Sequence, residues 1–170
     1  MHVYLTGFMG VGKTTVGRIL AQLMERPFID LDETIEARQS ATIREIFQSV
    51  GESGFRELEA AVLRELDAAP AVVALGGGVQ ARRENREWLA THGTTVWLDL
   101  ALEDLMTRLR DEERARRPLL KSEAQIRQLY RVRREGYSDS DLRIEVLSSD
   151  SAEVVALRIR DRMEQKQCAT

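Results

Sequence analysis

The stretch Gly7-Phe-Met-Gly-Val-Gly-Lys13-Thr14 fits the pattern G-x-x-x-x-G-K-[ST] and lies in the setting that pattern needs. A short apolar run, Val3 to Leu5, precedes it, and helical spacing at Val16, Leu20, Leu23 and Met24 follows. The glycines permit tight turns and close backbone approach. The amides of Gly10, Val11, Gly12, Lys13, Thr14 and Thr15, at the opening of the helix, can therefore surround phosphate oxygens. In such a loop Lys13 bridges the β and γ phosphates of a nucleoside triphosphate, and Thr14 offers its hydroxyl to magnesium, which offsets the phosphate charge. The stretch predicts an α/β phosphate-loop fold, with ATP as co-substrate and Mg2+ as cofactor.

Further short apolar runs, Phe28 to Leu31, Ala71 to Leu75, Thr94 to Leu98 and Leu142 to Leu147, have strand length and bring the expected strands to five. Longer stretches between them carry helical spacing, as at Leu58, Val62, Leu63 and Leu66 and again at Leu102, Leu105, Met106 and Leu109. This alternation predicts βαβ units and a parallel sheet with helices on both faces. With three prolines, no repeat and no Gly/Ser-rich linker, the chain reads as one domain, 1–170.

The phosphate loop serves motors, switches and kinases alike, so other residues must choose among them. The chain has neither an Asn-Lys-x-Asp guanine reader nor an Asp-x-x-Gly motif, which disfavours a GTPase switch. Asp30-Leu-Asp32 closes the second strand, and strand alternation puts both carboxylates on one face at the ligand-binding end of the sheet. One can support magnesium while the other accepts a substrate hydroxyl and helps remove its proton. The alternative is that Asp32 caps a helix beginning near Glu33. Gly76-Gly77-Gly78 follows the third strand as backbone that a substrate can approach closely. Asp99 is read as structural, because Asp30 already supplies a carboxylate.

Arg56, in Gly54-Phe-Arg-Glu-Leu-Glu59, and Arg133, in Arg133-Arg-Glu-Gly-Tyr137, are either surface residues or a pair of guanidinium forks for a small anion. Glu59, three residues after Arg56, can hold it in place. The charged run Asp111 to Pro118 is either a solvated helix end or a lid that carries arginine to a phosphate.

Composition narrows the partners. The 28 acidic and 25 basic residues give a net charge of -3, without the basic excess that nucleic acid or an anionic membrane demands. No segment approaches the ~18 apolar residues of a membrane span, and the opening residues lack an export pattern. Cys168 is the only cysteine, so no internal disulfide or cysteine metal site forms, which fits a reducing cytoplasm. His2 and His92 stand apart without ligand spacing and read as surface or terminal residues, and residues 165–170 as a disordered tail. A cytoplasmic monomer is expected.

Taken together, Gly7 to Thr14, D-x-D at Asp30 to Asp32, G-F-R-x-x-E at Gly54 to Glu59, G-G-G at Gly76 to Gly78 and R-P-L-L at Arg117 to Leu120 resemble the shikimate kinase family over nearly the whole chain. The resemblance implies a three-layer αβα fold of the nucleoside-monophosphate-kinase type with strand order 2-3-1-4-5. It also implies transfer of the ATP γ-phosphate to the 3-hydroxyl of shikimate on the route to aromatic amino acids, a substrate-binding region at about 32–60 and a lid at about 110–123. Carried over by position, Asp32 binds shikimate hydroxyls and acts as base, and Arg56, Gly77 and Arg133 hold shikimate, with Gly78 beside them. Lys13 and Arg117 stabilise the transferring phosphoryl group, Arg117 arriving from the lid. Two departures leave alternatives open. The family's R-x-P-L-Y appears here as Arg133-Arg-Glu-Gly-Tyr137, so Arg133 or Arg134 meets the carboxylate, and Arg108, or else Arg110, stacks on adenine. The rivals are a kinase of the same fold for gluconate or a nucleotide, and a nucleotide-binding regulator without transferase activity.

Overall fold

The structure, a computed structural model, describes residues 1–66, 69–109 and 122–168. Five strands, β1 (His2–Thr6), β2 (Phe28–Asp30), β3 (Val72–Ala74), β4 (Gly93–Leu100) and β5 (Leu142–Val146), form one sheet. Every pairing is parallel and the order is β2-β3-β1-β4-β5, as the resemblance implies. The central β1 pairs Val3 with Val72 on one side and Thr94 on the other, and all five of its residues are buried.

Strand alternation divides the core into two layers. Val3, Leu5, Leu98 and Ile144 meet α1 (Lys13–Leu23) and α7 (Ala152–Cys168) on one face. Tyr4 and Val73 meet α2 (Leu31–Gln39), α3 (Ile43–Arg64) and α4 (Arg83–His92) on the other, through Ile35, Leu63 and Leu89. The remaining helices are α5 (Leu102–Leu109) and α6 (Glu123–Tyr137). Among the described residues, no helix is long and apolar enough to cross a membrane.

Local chemistry sets the helix ends near the ligand-binding edge. Asp30 caps α2, its Oδ1 accepting from the amides of Asp32 at 3.1 Å and Glu33 at 3.4 Å. Thr42 and Glu45 make a reciprocal capping box that starts α3. At Gly51, φ 70° and ψ -176° break α3 into two helices, a conformation open essentially to glycine alone.

Two expectations are corrected, for His2 and for residues 165–168, and one holds, for His92. His2 is not a surface residue: it is buried, its Nδ1 accepts from the Ala71 amide at 3.2 Å, and its ring lies 5.4 Å from Tyr4. His92 is exposed and stacks on Trp88 at 3.9 Å. Residues 165–168, assigned to a disordered tail, continue α7, where Lys166 Nζ reaches Asp141 at 2.8 Å.

Candidate functional site

Strand order brings three carboxyl ends side by side: Asp30 after β2, the glycine run after β3, and the phosphate loop after β1. That edge, beside the point where the chain switches direction across the sheet, is where open α/β sheets bind ligands. A cleft of about 540 Å3 occupies it. Gly10, Gly12, Lys13, Thr14 and Thr15 line one side, and Asp30, Asp32, Arg56, Gly77, Gly78 and Arg133 the other. Residues chosen from distant parts of the sequence are thus walls of one cavity.

On the phosphate side, Gly12 at φ 98° caps α1 in a left-handed conformation that a side chain would strain. Lys13 Nζ donates to the loop's own carbonyls, Gly7 O at 2.9 Å and Phe8 O at 3.1 Å, so the cation is held over the concavity of amides. Thr14 Oγ1 donates to Asp30 Oδ2 at 2.7 Å. A hydroxyl against a carboxylate is a hard-oxygen pair suited to Mg2+, an ion that keeps several waters and relies on substrate phosphates. Among the described residues, no three His, Cys, Asp or Glu side chains gather to hold a metal, and the Thr14 hydroxyl and Asp30 carboxylate are a donor pair whose chemistry fits this ion. Val11 is buried in the core and does not line the cleft.

On the acceptor side, Asp32 lies in the first turn of α2 and not, as strand alternation predicted, on β2 with Asp30. The early helix start also rules out Asp32 as the cap, because its own amide is capped by Asp30. The helix still turns Asp32 to the cleft. A Cβ added at Gly76 would lie 2.8 Å from Asp32 Oδ1 and 2.6 Å from Glu59 Oε1, and one at Gly78 would fall on the Arg56 guanidinium. The glycine run is what lets two carboxylates and an arginine approach the backbone so closely.

Arg56 Nη1 donates to Glu59 Oε2 at 2.8 Å and its guanidinium lies 5.2 Å from the Phe55 ring. Glu59 is fully buried, and its other oxygen, Oε1, has no hydrogen-bond partner among the described residues. Burial pushes the Glu59 carboxyl above its ordinary range, Arg56 draws it back, and the nearby Asp32 charge adds to the rise. The two candidates on α6 separate clearly. Arg133 is 7% exposed and lines the cleft, whereas the Arg134 side chain is 49% exposed, lies 3.7 Å from Asp99 and stands over Trp97. Asp99 is structural in fact, accepting from Arg143 Nε at 2.8 Å on the neighbouring strand.

Arg108 is exposed on α5 and does not line the cleft. Arg110, Arg117 and the whole Arg117 to Leu120 motif lie outside the described residues. The sequence reading passed over two features. Phe47 and Phe55, stacked at 4.4 Å across the α3 break, form an apolar wall of the cleft. The Tyr137 hydroxyl donates to the Gly77 carbonyl at 2.5 Å. The i, i+4 spacing of Arg133 and Tyr137 was the available signal, since it puts both on one helix face.

Comparison with known proteins gives the family and agrees with the fold. The sequence model of the shikimate kinase family matches residues 9–164. A shikimate kinase of Synechococcus elongatus is 40% identical over 163 residues, covering 94% of this chain and 84% of the relative. One of Persephonella marina is 38% identical over 156 residues, covering 91% and 94%. Among solved structures, shikimate kinase from Acinetobacter baumannii in complex with shikimate superposes with a TM-score of 0.88 at 38% identity, covering 97% of this chain and 93% of that one. The enzyme from Aquifex aeolicus gives 0.86 at 35% identity, covering 98% of each.

Proposed function

The chain belongs to the shikimate kinase family, and on that premise we propose that it transfers the γ-phosphoryl group of ATP to the 3-hydroxyl of shikimate, with the two substrates meeting in the cleft between the phosphate loop and Asp32. It is an ATP-dependent kinase of shikimate. The observation that carries the assignment of roles is that one cleft joins the phosphate-loop residues Lys13 and Thr14 to the acceptor-side residues Asp32, Arg56 and Arg133.

In this mechanism positioning and charge stabilisation dominate, because phosphoryl transfer asks for little covalent chemistry from the protein. The amides from Gly10 to Thr15 and Lys13 hold the β and γ phosphates. Thr14 and Asp30 would hold Mg2+, which would supply the positive charge that offsets the triphosphate. Asp32 accepts from the shikimate hydroxyls and takes the proton of the attacking one. Arg56 and Arg133 receive the carboxylate, with Gly77 and Gly78 as backbone between them, and Glu59 keeps Arg56 from straying. Arg108 against adenine and Arg117 at the transferring phosphoryl group complete the proposal from the family pattern. The reaction belongs to the route to aromatic amino acids. A cytoplasmic monomer is part of the same reading, as is the lack of nucleic-acid and membrane partners, which the modest net charge of -3 supports.

The carboxylate assignment is tested by comparing Arg133→Ala with Arg134→Ala. The first is expected to raise the KM for shikimate by about two orders of magnitude, the scale of a lost charge-assisted pair, and the second to leave it within about threefold. The opposite pattern would move the contact to Arg134.

A further inference from the structure

Tyr137 follows Arg133 by one turn on the buried face of α6 and is 2% exposed. Its hydroxyl donates to the Gly77 carbonyl at 2.5 Å, and a Cβ built at Gly77 would lie 3.5 Å from that hydroxyl and 3.0 Å from Arg133 Nη1. One buried oxygen is therefore bonded to the Gly77 backbone at the place where the Arg133 guanidinium also approaches it, on the anion side of the cleft.

Peptide geometry extends its reach. Among the described residues no peptide is cis, so the Gly77 carbonyl and the Gly78 N–H share a trans unit and point in opposite directions. Holding that carbonyl toward Tyr137 turns the Gly78 N–H away from it. Gly78 lines the cleft, and its N–H makes no hydrogen bond among the described residues.

The seat of α6 is built for this contact. A Cβ at Gly136 would lie 2.5 Å from the Gln80 carbonyl, so the glycine lets the helix settle directly on the turn that follows Gly78. Gln80 Nε2 reaches Ser140 Oγ at 3.3 Å, and Arg86 Nη1 reaches the Gln80 carbonyl at 2.7 Å, tying the same turn to the end of α6 and to α4.

We infer that Tyr137 is a positioning residue for the carboxylate of the acceptor: its hydroxyl fixes the Gly77–Gly78 peptide and the Arg133 guanidinium relative to each other, so that backbone N–H and guanidinium meet one carboxylate together. Without the hydroxyl both donors remain, but their mutual orientation is set by neither. The inference rests on the reading that Arg133 receives the shikimate carboxylate.

The test is Tyr137→Phe, assayed with shikimate and with shikimate methyl ester, which carries no carboxylate charge. The KM for shikimate is expected to rise about tenfold, the scale of one buried hydrogen bond to a charged group, while kcat falls less than about threefold and the KM for ATP stays within about twofold. The preference of the wild type for acid over ester, as a ratio of kcat/KM values, is expected to shrink by the same factor. A hydroxyl with a purely structural part would lower both substrates alike and leave the ratio unchanged, which would overturn the inference. Failure of the underlying carboxylate reading looks different, because the wild type itself would then show no preference for the acid.

If Tyr137→Phe does not fold, the wild type gives the answer through 13Cζ-labelled tyrosine, its three signals assigned with Tyr4→Phe and Tyr130→Phe. The Tyr137 signal is expected to move with shikimate and not with the ester, and an unmoved signal would overturn the inference.

Discussion

Asp32 and Glu59 both crowd Gly76, yet their surroundings give them different work. Asp32 faces the cleft as the proposed base, so Asp32→Asn is expected to lower kcat by about a hundredfold or more, within the usual range for acid–base catalysis. Its thermal midpoint should move by only a few degrees, and near-normal turnover at saturating shikimate would remove Asp32 from that role. Glu59 is buried beside Arg56 with its carboxyl pushed up by desolvation. The native state then holds the Glu59 proton more tightly than the unfolded chain does. Its contribution to stability is fully present below the ordinary value of 4.5 and is lost as pH rises through the higher native value. The stability of the wild type relative to Glu59→Gln should accordingly fall as pH climbs from about 4 through that window, and a flat difference would contradict the buried charge. At this scale the sequence was legible wherever a residue type and a motif coincide, as at Lys13, Thr14, Asp32 and Arg56. It was silent on Glu59 Oε1 and on Tyr137, because burial depends on what a fold brings opposite a residue and not on its neighbours in the chain.

The elements around the cleft are placed by a few local devices. Asp30 serves twice, capping α2 through Oδ1 and accepting from Thr14 through Oδ2, which joins the start of one helix to the ligand side of another. The strand-end reading put Asp30 and Asp32 on one strand face, but this cap ends β2 at Asp30 and hands Asp32 to the helix, and the cleft collects both regardless. The break in α3 at Gly51 lets its first half carry Phe47 and its second half carry Phe55, Arg56 and Glu59. With φ 70° and ψ -176°, Gly51→Ala is expected to cost about 1–3 kcal/mol in chemical denaturation. A loss below about 0.3 kcal/mol, smaller than ordinary backbone effects, would show that α3 can run unbroken. Helical periodicity indicated the second half of α3 through Leu58, Val62 and Leu63, but one glycine in a helical run does not announce a break.

For the whole molecule, the sheet order is the device that assembles the site, since β2-β3-β1 sets the two aspartates, the glycine run and the phosphate loop along one edge. The five apolar runs disclosed the strands to within a few residues, but the order came from the family resemblance, because periodicity says which residues face a core and not which strands are neighbours. His2 illustrates the same limit: a polar residue at the start of the central strand is drawn into the core by the strand it belongs to, and its Nδ1 finds the Ala71 amide. The central claim is that this cleft brings ATP and shikimate together. The most direct measurement is initial-rate ADP release with magnesium and ATP, comparing shikimate, gluconate, nucleoside monophosphates and no acceptor. The account predicts turnover with shikimate at least about a hundredfold above every other condition, beyond the ~10- to 200-fold that a single missing apolar contact produces. Equal or greater turnover with gluconate or a nucleotide, or none with shikimate, would contradict it.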